Sequence, residues 1–386
     1  MVPSLLHLPA RVGHAAGLRI AMVSEYYYPH LGGVTEHVHY LSRELRRLGH
    51  HVDIITSTID PDDRRDDVVR LGRSVPVYGN ASMARITVAR GLRDRMRGVL
   101  RDGRYDLVHV HCPLNPTLPM LAIEAAQVPV VGTVHTWFPA SLAYAMGRRY
   151  FQRLLDRVDI PVAVSEAAAK AHDRYFRADW RVVPNGIDLD EFHPHLARPA
   201  GMSGDAPTIL FVGRFDPRNS LGMLFEAFTQ VQRSVPDARL VVVGDGPLRR
   251  HYRRLASANP GITFTGPLID ERAAHYAAAS VYACPTTRAS FGITLLEAMA
   301  TGTPVVCSDL HGFRCVVSHE QEALLTPVGD VQQLARALVR VLTDDALRKR
   351  LGSRGLDRAR QFSWPIVARQ LLELYASAGV SAATAA

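Results

Sequence analysis

Lysine is almost absent from this chain of 386 residues, since Lys170 and Lys349 are its only lysines. Arginine therefore supplies nearly all of the positive charge, and the formal net charge is +8 at pH 7. A basic surface suits phosphate-bearing ligands, anionic membranes or nucleic acid. The sequence has no helix-turn-helix signal, zinc finger or mixture of aromatic and basic residues, so we expect no nucleic acid among its partners.

Cysteine is scarce as well, and it forms no pattern that would hold a metal ion. Cys112, Cys284, Cys307 and Cys315 make no Cys-x-x-Cys pair and no zinc-type cluster with histidine. We therefore expect free thiols in a reducing cytoplasm. No apolar run reaches the length of a membrane span, and residues 1–17 are too weakly apolar for a secretory signal, so we expect a disordered lead-in there.

What the chain does contain is an alternation of apolar strands and amphipathic helices, in a length that suits two domains. Residues 18–23 form a predicted strand, Gly32-Gly33 opens a helix with a clean apolar stripe, and residues 52–56 form the next strand. This order is typical of a doubly wound α/β domain. The turn lacks the Gly-x-Gly-x-x-Gly spacing of a nicotinamide site. Residues 60–80 are polar and predicted to be irregular, with Asp62-Asp63 in a solvated loop.

Polar residues follow three predicted strands of the first domain. His111, His135 and the pair Ser165-Glu166 each stand at the carboxyl end of a strand, where open α/β sheets bind ligands. A single histidine at such a position is more often structural, but the three strand ends together favour a pocket.

Residues 81–104 are rich in arginine and carry an apolar stripe that includes Leu92 and Met96. One hypothesis is a basic amphipathic segment that contacts an anionic membrane. The alternative is a helix that packs on the core and leaves its basic face in solvent. The stripe has no bulky aromatic anchor, which favours the alternative.

A segment rich in proline, glycine and alanine, residues 194–207, is predicted to link the first domain to a second one. Asp188 and Asp190, just before it, have the spacing of a metal motif, but their place beside a turn favours a structural role. Beyond the linker, strands again end in glycine turns, and Arg214 in the first such turn is a candidate to pair with phosphate. Two such domains imply a cleft between their strand ends, and the last helix, residues 364–378, is predicted to cross back to the first domain.

The second domain carries the strongest functional signal, residues 284–304. Ser290 is the predicted N-cap of a helix that Gly302 ends. The free N–H groups of the first turn, together with the helix dipole, predict an anion site. Glu297 lies about two turns into this helix, so the stretch combines a phosphate site with one carboxylate.

The order of these motifs resembles that of glycosyltransferase family 4. The motifs are Gly32-Gly33, Val164-Ser-Glu166, Pro184-Asn-Gly-Ile-Asp188, Val212-Gly-Arg-Phe215, Gly244-Asp-Gly-Pro247 and Ser290-Phe-Gly-Ile-x-Leu-Leu-Glu-Ala-Met-Ala300. The resemblance covers about residues 18–378. Within the family the chain looks most like the phosphatidylinositol mannosyltransferases, through Thr133-Val-His135 and residues 308–314.

The resemblance implies a GT-B fold, in which two doubly wound Rossmann-like domains face each other across a cleft. The acceptor side would be residues 18–195 and the nucleotide-sugar donor side residues 206–363. It implies retaining transfer of a hexose, with mannose favoured, from a nucleotide sugar such as GDP-mannose to a lipid-linked or small acceptor, without a metal ion or cofactor. From the residues themselves we expect a cytoplasmic protein, and the membrane hypothesis for residues 81–104 would place it peripherally at the inner face of the membrane.

The resemblance further implies roles for single residues. Arg214 would clamp the diphosphate, and Glu297 would bind the ribose hydroxyls. Gly33 would let the first domain approach the diphosphate, and His135 would lie beside the reaction centre. The other implied donor-binding residues are Asp245, Gly246, Leu268, Phe291, Gly292 and Ile293, of which the last three would offer backbone N–H groups to the phosphate.

Two positions depart from the family pattern. Ala289 stands where a glutamate usually holds the donor sugar, and Asn219 stands where a lysine is usual. Losing one charge-assisted hydrogen bond costs about 1.5–3 kcal/mol, or about 10- to 100-fold. Arg218 is a candidate to supply the missing charge, and Arg288 or Thr286 to reach the sugar. We expect an active variant transferase. The alternatives are a weakened or inactive nucleotide-sugar-binding protein of the same fold, and a sugar epimerase of this architecture.

Overall fold

The computed structural model describes residues 17–30, 32–60, 65–79, 82–202, 204, 206–269 and 271–380. The predicted lead-in therefore lies outside the described residues except for Gly17, and so does the Asp62-Asp63 pair.

The first domain is built on an eight-stranded sheet covered by helices. Its strands are β1 Arg19–Val23, β2 His51–Thr58, β3 Val68–Gly79, β4 Ser82–Val88, β5 Leu107–His111, β6 Val130–Val134, β7 Ile160–Ala163 and β8 Arg181–Val182. Its helices are α1 Gly33–Arg47, α2 Leu92–Asp102, α3 Leu118–Ala125, α4 Leu142–Met146, α5 Arg148–Leu155 and α6 Glu166–Asp173. The strand order is β4-β3-β2-β1-β5-β6-β7-β8, and only the β3–β4 pair is antiparallel among the described strands of this sheet.

The second domain repeats the architecture with a six-stranded parallel sheet. Its strands are β9 Thr208–Val212, β10 Arg239–Val243, β11 Ile262–Gly266, β12 Val281–Cys284, β13 Val305–Ser308 and β14 Ala323–Thr326. Its helices are α7 Leu221–Ser234, α8 Arg249–Ala256, α9 Arg272–Ala278, α10 Ile293–Ala300, α11 Val331–Thr343 and α12 Asp345–Arg360. The order β11-β10-β9-β12-β13-β14 reverses direction at the first strand, which makes the sheet doubly wound and confirms the predicted fold class.

The cores follow from the sequence because helices cover both faces of each parallel sheet. Strands β5 and β6 are buried along their whole length, and the α1 stripe of Val38, Leu41 and Leu45 is fully buried against the first sheet. All four cysteines are free, as the sequence predicts. Within the described residues, no helix has both the length and the apolar character needed to cross a bilayer.

The last helix, α13 Trp364–Ser377, returns to the first domain. Trp364, Val367 and Leu371 belong to the same buried cluster as residues of β1 and α1. The hydroxyl of Tyr375 lies 2.6 Å from His109 Nδ1 on β5. This helix therefore ties the second domain to the core of the first domain.

Two regions differ from the sequence-based predictions. The prediction that residues 60–80 are irregular is wrong from residue 68 onward, where β3 pairs with β4; its alternation of arginine and apolar residues suits a half-buried strand near a sheet edge. In α2, Leu92 and Met96 are buried in the first-domain core. The core-packing alternative therefore describes α2, and its apolar stripe is not available to enter a membrane.

Candidate active site

One cavity of about 740 Å³ between the two domains gathers the residues that the sequence singled out. Every predicted donor-binding or catalytic residue lines it: Gly33, His135, Arg214, Arg218, Asp245, Gly246, Leu268, Phe291, Gly292, Ile293 and Glu297. They come from turns that follow β1, β6, β9, β10, β11 and β12, because the carboxyl ends of the strands of both sheets face the cleft. Ala289 and Asn219, the two departures, line the same cavity.

The N-terminus of α10 opens onto this cavity without a side-chain cap. The residue before the helix is Gly292, whose φ of 115° is in the region that favours glycine. A Cβ atom at this position would lie 2.8 Å from Cδ1 of Phe313, so the site also excludes a side chain sterically. The first N–H groups of the helix thus have no side-chain cap, an arrangement that could bind an anion.

Ser290 does not cap α10, and this prediction is wrong because Gly292 occupies the helix boundary. Its hydroxyl oxygen instead accepts a hydrogen bond from the backbone N–H of Trp137 at 2.6 Å. The hydroxyl of Ser165 donates to the Ser290 carbonyl at 2.5 Å. Both partners belong to the first domain, so Ser290 joins the two domains at the edge of the cavity.

The N-terminus of α1 faces the same cavity from the first domain. Gly32 precedes the helix and supplies no side-chain cap, and Gly32, Gly33 and Val34 line the cavity. Two uncapped helix ends from opposite domains therefore meet at one space. Each carries a partial positive charge from its helix dipole, so together they favour a ligand with more than one negative group.

Arg214 and Asn219 share one loop after β9. The Asn219 side-chain amide donates to the Arg214 carbonyl at 2.6 Å, and the Thr286 hydroxyl donates to Asn219 Oδ1 at 3.1 Å. Asn219 thus braces the turn that presents Arg214 instead of offering a charge to the cavity. Arg218, the candidate replacement for the lysine, pairs with Asp216 at 3.2 Å.

Arg214 and Arg288 are the uncommitted cations of the site. Both are exposed and line the cavity, and among the described residues neither has a carboxylate oxygen within 4.0 Å. They are therefore the guanidinium groups best placed to pair with an anionic ligand.

Glu297 lies in an ion-pair chain that the sequence did not reveal. Arg272 at the start of α9 contacts Glu297 Oε1 at 3.3 Å through Nη2 and Glu36 Oε1 at 2.8 Å through Nη1. Glu36 belongs to α1, so the chain crosses from one domain to the other. Glu297 Oε2 is buried and makes no hydrogen bond of standard geometry within the described residues, and Glu36 and Glu297 both line the cavity.

Burial sets the pKa values in the ion pairs of Glu297, Arg272 and Glu36. Desolvation raises the pKa of Glu297, the charge of Arg272 opposes that rise, and the charge of Glu36 adds to it. Arg272 is itself largely buried, and the two carboxylates raise its pKa, so it stays positive. The only sequence signal for Glu36 is its position shortly after Gly32-Gly33, and nothing in the sequence pointed to Arg272.

Asp245 and Gly246 shape the side of the cavity that the turn after β10 provides. Asp245 Oδ1 accepts from the Gly246 N–H at 2.7 Å, and Asp245 Oδ2 pairs with Arg249 at 3.3 Å. A Cβ at Gly246 would lie 2.6 Å from the backbone nitrogen of Phe215, so glycine is needed for this loop to touch the Arg214 loop. Leu268 packs on the second-domain core and offers an apolar surface to the cavity.

His135 belongs to a buried histidine cluster. His135 Nε2 lies 2.9 Å from His111 Nδ1, and the ring centroids of His135 and His37 are 4.7 Å apart. Burial lowers the pKa of His111 and His135 well below the ordinary value and that of His37 to about 4, so the imidazoles are neutral near pH 7. His135 lines the cavity, whereas His111 lies behind it.

Ring nitrogens of these three histidines come within 4.8 Å of one another, a spacing that raises the question of a metal ion. Two nitrogens that bind one tetrahedral zinc ion, each about 2.0–2.1 Å from it, lie roughly 3.4 Å apart. The His111–His135 separation of 2.9 Å is a hydrogen-bond distance and is too short for a shared ion. His37 is held by Asn185 at 2.8 Å, so the cluster is a hydrogen-bonded support for His135.

The third predicted strand end lies elsewhere. Ser165 caps α6 by accepting from the Ala168 N–H, and Ser165 and Glu166 line a separate cavity of about 630 Å³ between the domains. Asp188 is buried and pairs with Arg43 of α1, which agrees with the structural alternative for the Asp188-x-Asp190 motif. The single pocket expected from three strand ends is thus divided between two cavities.

Two family models match the chain. The model described as Glycosyltransferase Family 4 matches residues 31–191, and the model described as Glycosyl transferases group 1 matches residues 206–344. The matches fall on the first and the second domain respectively.

Full-length relatives are also named as glycosyltransferases, and a solved structure has the same fold. The chain is 34% identical over 369 residues to a phosphatidyl-myo-inositol mannosyltransferase of Mycobacterium leprae, covering 94% of this chain and 98% of that protein. It is 31% identical over 412 residues to a D-inositol 3-phosphate glycosyltransferase of a Nocardioides species, covering 92% and 89%. HepE of Anabaena, solved in complex with UDP-glucose, shares the fold with a TM-score of 0.75 at 19% identity, over 93% of this chain and 100% of that one.

Proposed function

The chain belongs to glycosyltransferase family 4, and we propose that it is a retaining mannosyltransferase that acts on an inositol-containing lipid at the inner face of the membrane. Membership of this family favours transfer over the epimerase alternative. The proposed donor is a nucleotide-activated mannose such as GDP-mannose, and no metal ion takes part.

The observation that carries the proposal is the meeting of two uncapped helix N-termini and Arg214 in one cavity. Departure of a nucleoside diphosphate from a sugar places negative charge on the phosphate oxygens in the transition state. Helix N-termini and a guanidinium aimed at that charge stabilise it without a metal ion. Glu297, which pairs with Arg272 and lines the cavity, is proposed to accept hydrogen bonds from ribose hydroxyls.

The state of the carboxylates supports retention without a covalent intermediate. Glu36, Asp245 and Glu297 are the carboxylates among the described cavity residues, and each is held by an arginine. None is free to act as a nucleophile or as a general base on an acceptor hydroxyl. We infer that the acceptor attacks from the side of the departing phosphate, whose oxygen takes the proton, while neutral His135 lies beside the sugar.

The names of the relatives support mannose and an inositol-based acceptor. The Mycobacterium leprae relative is named for mannosyl transfer to phosphatidyl-myo-inositol, and the Nocardioides relative for glycosyl transfer to D-inositol 3-phosphate. The first of these relatives matches over a larger share of both chains, so the lipid acceptor is the better proposal.

The test is a panel of nucleotide sugars scored separately for donor hydrolysis and for transfer. We expect transfer of mannose from GDP-mannose to phosphatidylinositol, little transfer to D-inositol 3-phosphate, an α-anomeric product by NMR and unchanged rates in EDTA. Turnover confined to another sugar, a β-product or loss of activity in EDTA would each contradict the corresponding part of the proposal.

A second candidate, a weakened or inactive nucleotide-sugar-binding protein, is favoured by Ala289 and Asn219. Asn219 is committed to the Arg214 carbonyl, and Ala289 offers only a methyl group to the cavity. We expect Ala289→Glu to raise kcat by about 10-fold or more if a sugar contact has been lost. Nucleotide-sugar binding by calorimetry with no turnover in either form would favour the second candidate, whereas a wild-type rate that Ala289→Glu lowers would show that the pocket is adapted to alanine.

A further inference from the structure

We propose that an exposed apolar surface on α4 and α5, residues 138–153, docks the protein onto an anionic lipid bilayer. The run from residue 138 to residue 147 contains no charged side chain. Leu142 is 74% exposed and Met146 is 81% exposed, more than any other large apolar side chains in the described part of the chain. Leu142 and Met146 are four positions apart on α4 and therefore share one face of it.

The rest of the segment holds this face outward. Tyr144, on the opposite side of α4, is half-buried in an aromatic cluster with Phe138, Phe151 and Phe176, at ring distances of 5.2–5.4 Å. The Ser141 hydroxyl oxygen caps α4 by accepting from the Tyr144 N–H at 3.3 Å. Because the aromatic side is anchored, Leu142 and Met146 cannot turn into the core without breaking that packing.

The rim of the surface is basic. Arg148, Arg149 and Arg153 are all exposed at the start and in the middle of α5, beside half-exposed Tyr150. Two acidic groups beside α5 already have partners: Glu124 is engaged by Arg93 at 2.9 Å and by the Tyr150 hydroxyl at 3.4 Å, and Asp156 accepts from the Gln152 side chain at 2.7 Å. Apolar side chains that can insert, surrounded by arginines that can meet lipid phosphates, complement an anionic bilayer.

The size of the surface argues against a protein partner. A stable protein interface takes about 20–30 residues from each side, with about 800 Å² buried on each partner. This surface consists of a five-residue helix and the start of an eight-residue one. Shallow insertion into a bilayer needs no such area, because a few apolar side chains and several charges are sufficient.

The surface adjoins the cleft. The segment begins just after His135, and Trp137 between them donates its backbone N–H to Ser290 of the second domain at 2.6 Å. A bilayer on α4 would therefore lie beside the opening through which a lipid acceptor must enter. This last step rests on the proposed function, whereas membrane docking through α4 does not.

The test is cosedimentation of the full chain with vesicles of phosphatidylcholine alone or mixed with phosphatidylglycerol, which is anionic but is not the proposed acceptor. We expect binding only to the mixed vesicles, a loss of about 10-fold or more in Leu142→Glu/Met146→Glu, and a similar loss in Arg148→Glu/Arg149→Glu. The control is Leu255→Glu/Val328→Glu, which changes two exposed apolar residues of the second domain and should bind like wild type.

The outcomes separate this inference from the proposed function. If Leu142→Glu/Met146→Glu keeps donor hydrolysis and a normal melting temperature but loses vesicle binding, the surface is supported, whatever the acceptor proves to be. If it binds anionic vesicles as wild type does, or if light scattering shows that wild type is a dimer that this double change dissociates, the surface assignment is overturned. Failure of all transfer with vesicle binding intact would contradict only the proposed function.

Discussion

The helices α1 and α10 present the same design to the cavity from opposite domains, but only one of them could be recognised from its sequence. Each begins after a glycine, has no side-chain cap and carries a buried glutamate within its first two turns. In α10 the proposed phosphate site and Glu297 lie in one continuous stretch. In α1 the corresponding glutamate is Glu36, and its role becomes visible only through Arg272, which is distant from it in sequence. Arg272 forms ion pairs with both Glu36 and Glu297.

The comparison teaches that the α10 side of this site is formed by residues close together in sequence, whereas the α1 side depends on a residue that only the fold brings near. Glu297 is 2% exposed and Glu36 is 8% exposed, so both depend on the same guanidinium for compensation of charge. Arg272 therefore holds the carboxylate of α10 in place and at the same time links α10 to α1. Substitutions that remove Arg272, or that change only one of the two helices, test how far the N-termini of α1 and α10 are equivalent.

The largest effect on stability is expected from Arg272→Leu, which removes the ion pairs of both α1 and α10 at once. Removing the cation leaves two buried carboxylates without a partner, so the free energy of unfolding should fall by about 3–5 kcal/mol at pH 7. Without Arg272 the already raised pKa of Glu297 rises further, so the folded state takes up a proton as the pH falls. Chemical denaturation should therefore show a loss of stability that shrinks between about pH 8 and about pH 5.

The exposed Arg254 on α8 provides the matched control. Arg254→Leu should change the free energy of unfolding by less than about 0.5 kcal/mol. Equal stability of the two variants at pH 7 would mean that the ion pairs of Arg272 with Glu36 and Glu297 contribute nothing to the free energy of unfolding.

Arg214→Ala is expected to have the next largest effect, and it acts on the α10 side alone. Loss of a guanidinium contact to phosphate removes about 1.5–3 kcal/mol, so the Kd for the nucleotide donor should rise by about 10- to 100-fold. Calorimetric titration with the nucleoside diphosphate measures this Kd directly. The control is Arg233→Ala, which changes an exposed arginine of α7. An unchanged Kd would place the diphosphate away from Arg214.

Gly292→Ala should destabilise the protein by about 1–3 kcal/mol, since it combines a positive φ with a contact of 2.8 Å to Phe313. Gly266→Ala separates the two causes, because Gly266 also has a positive φ, of 85°, but its added Cβ would meet nothing within 4 Å. Thermal unfolding should therefore rank Gly292→Ala below Gly266→Ala and both below wild type. A reversed order would mean that the packing at Phe313 is easily relieved.

Gly33→Ala should have the smallest effect on stability and so sharpens the contrast with Gly292. Its added Cβ meets nothing within 4 Å, and the residue lies in a helix, so the melting temperature should stay the same or rise slightly. The new methyl group would nevertheless stand in the cavity where the diphosphate is proposed to bind, and kcat/KM should fall by about 10-fold. Wild-type kinetics would show that α1 does not approach the donor closely.

The sequence predicted the alternation of strands and helices because that information is local. Apolar runs of strand length and stripes of helical spacing located β1, α1 and β9 to β14, and the glycine turns located the cavity edge. It missed β3, because arginines interrupt its apolar pattern, and it misassigned the cap of α10, because Ser290 and Gly292 compete for the same boundary and only the backbone geometry selects between them.

Amphipathic segments also show that a local pattern does not predict contacts between distant parts of the chain. The apolar stripe of α2 suggested a membrane contact, but Leu92 and Met96 are buried, whereas Leu142 and Met146 of α4, which no sequence pattern singled out, are exposed. Periodicity reveals that a helix has an apolar face. It does not reveal what covers that face, because the covering side chains come from elements distant in sequence.

By itself, the sequence determined the two doubly wound domains, the glycine turns and the helix start at α10 that is proposed to bind an anion, since each depends on residues close to one another in the chain. Only the tertiary structure decided that α1 mirrors α10 across the cleft, that Arg272 pairs with a glutamate of each helix, and that Asn219 braces the Arg214 loop. The physical reason is that charge compensation and burial are set by neighbours in space, and in this protein those neighbours lie on different domains.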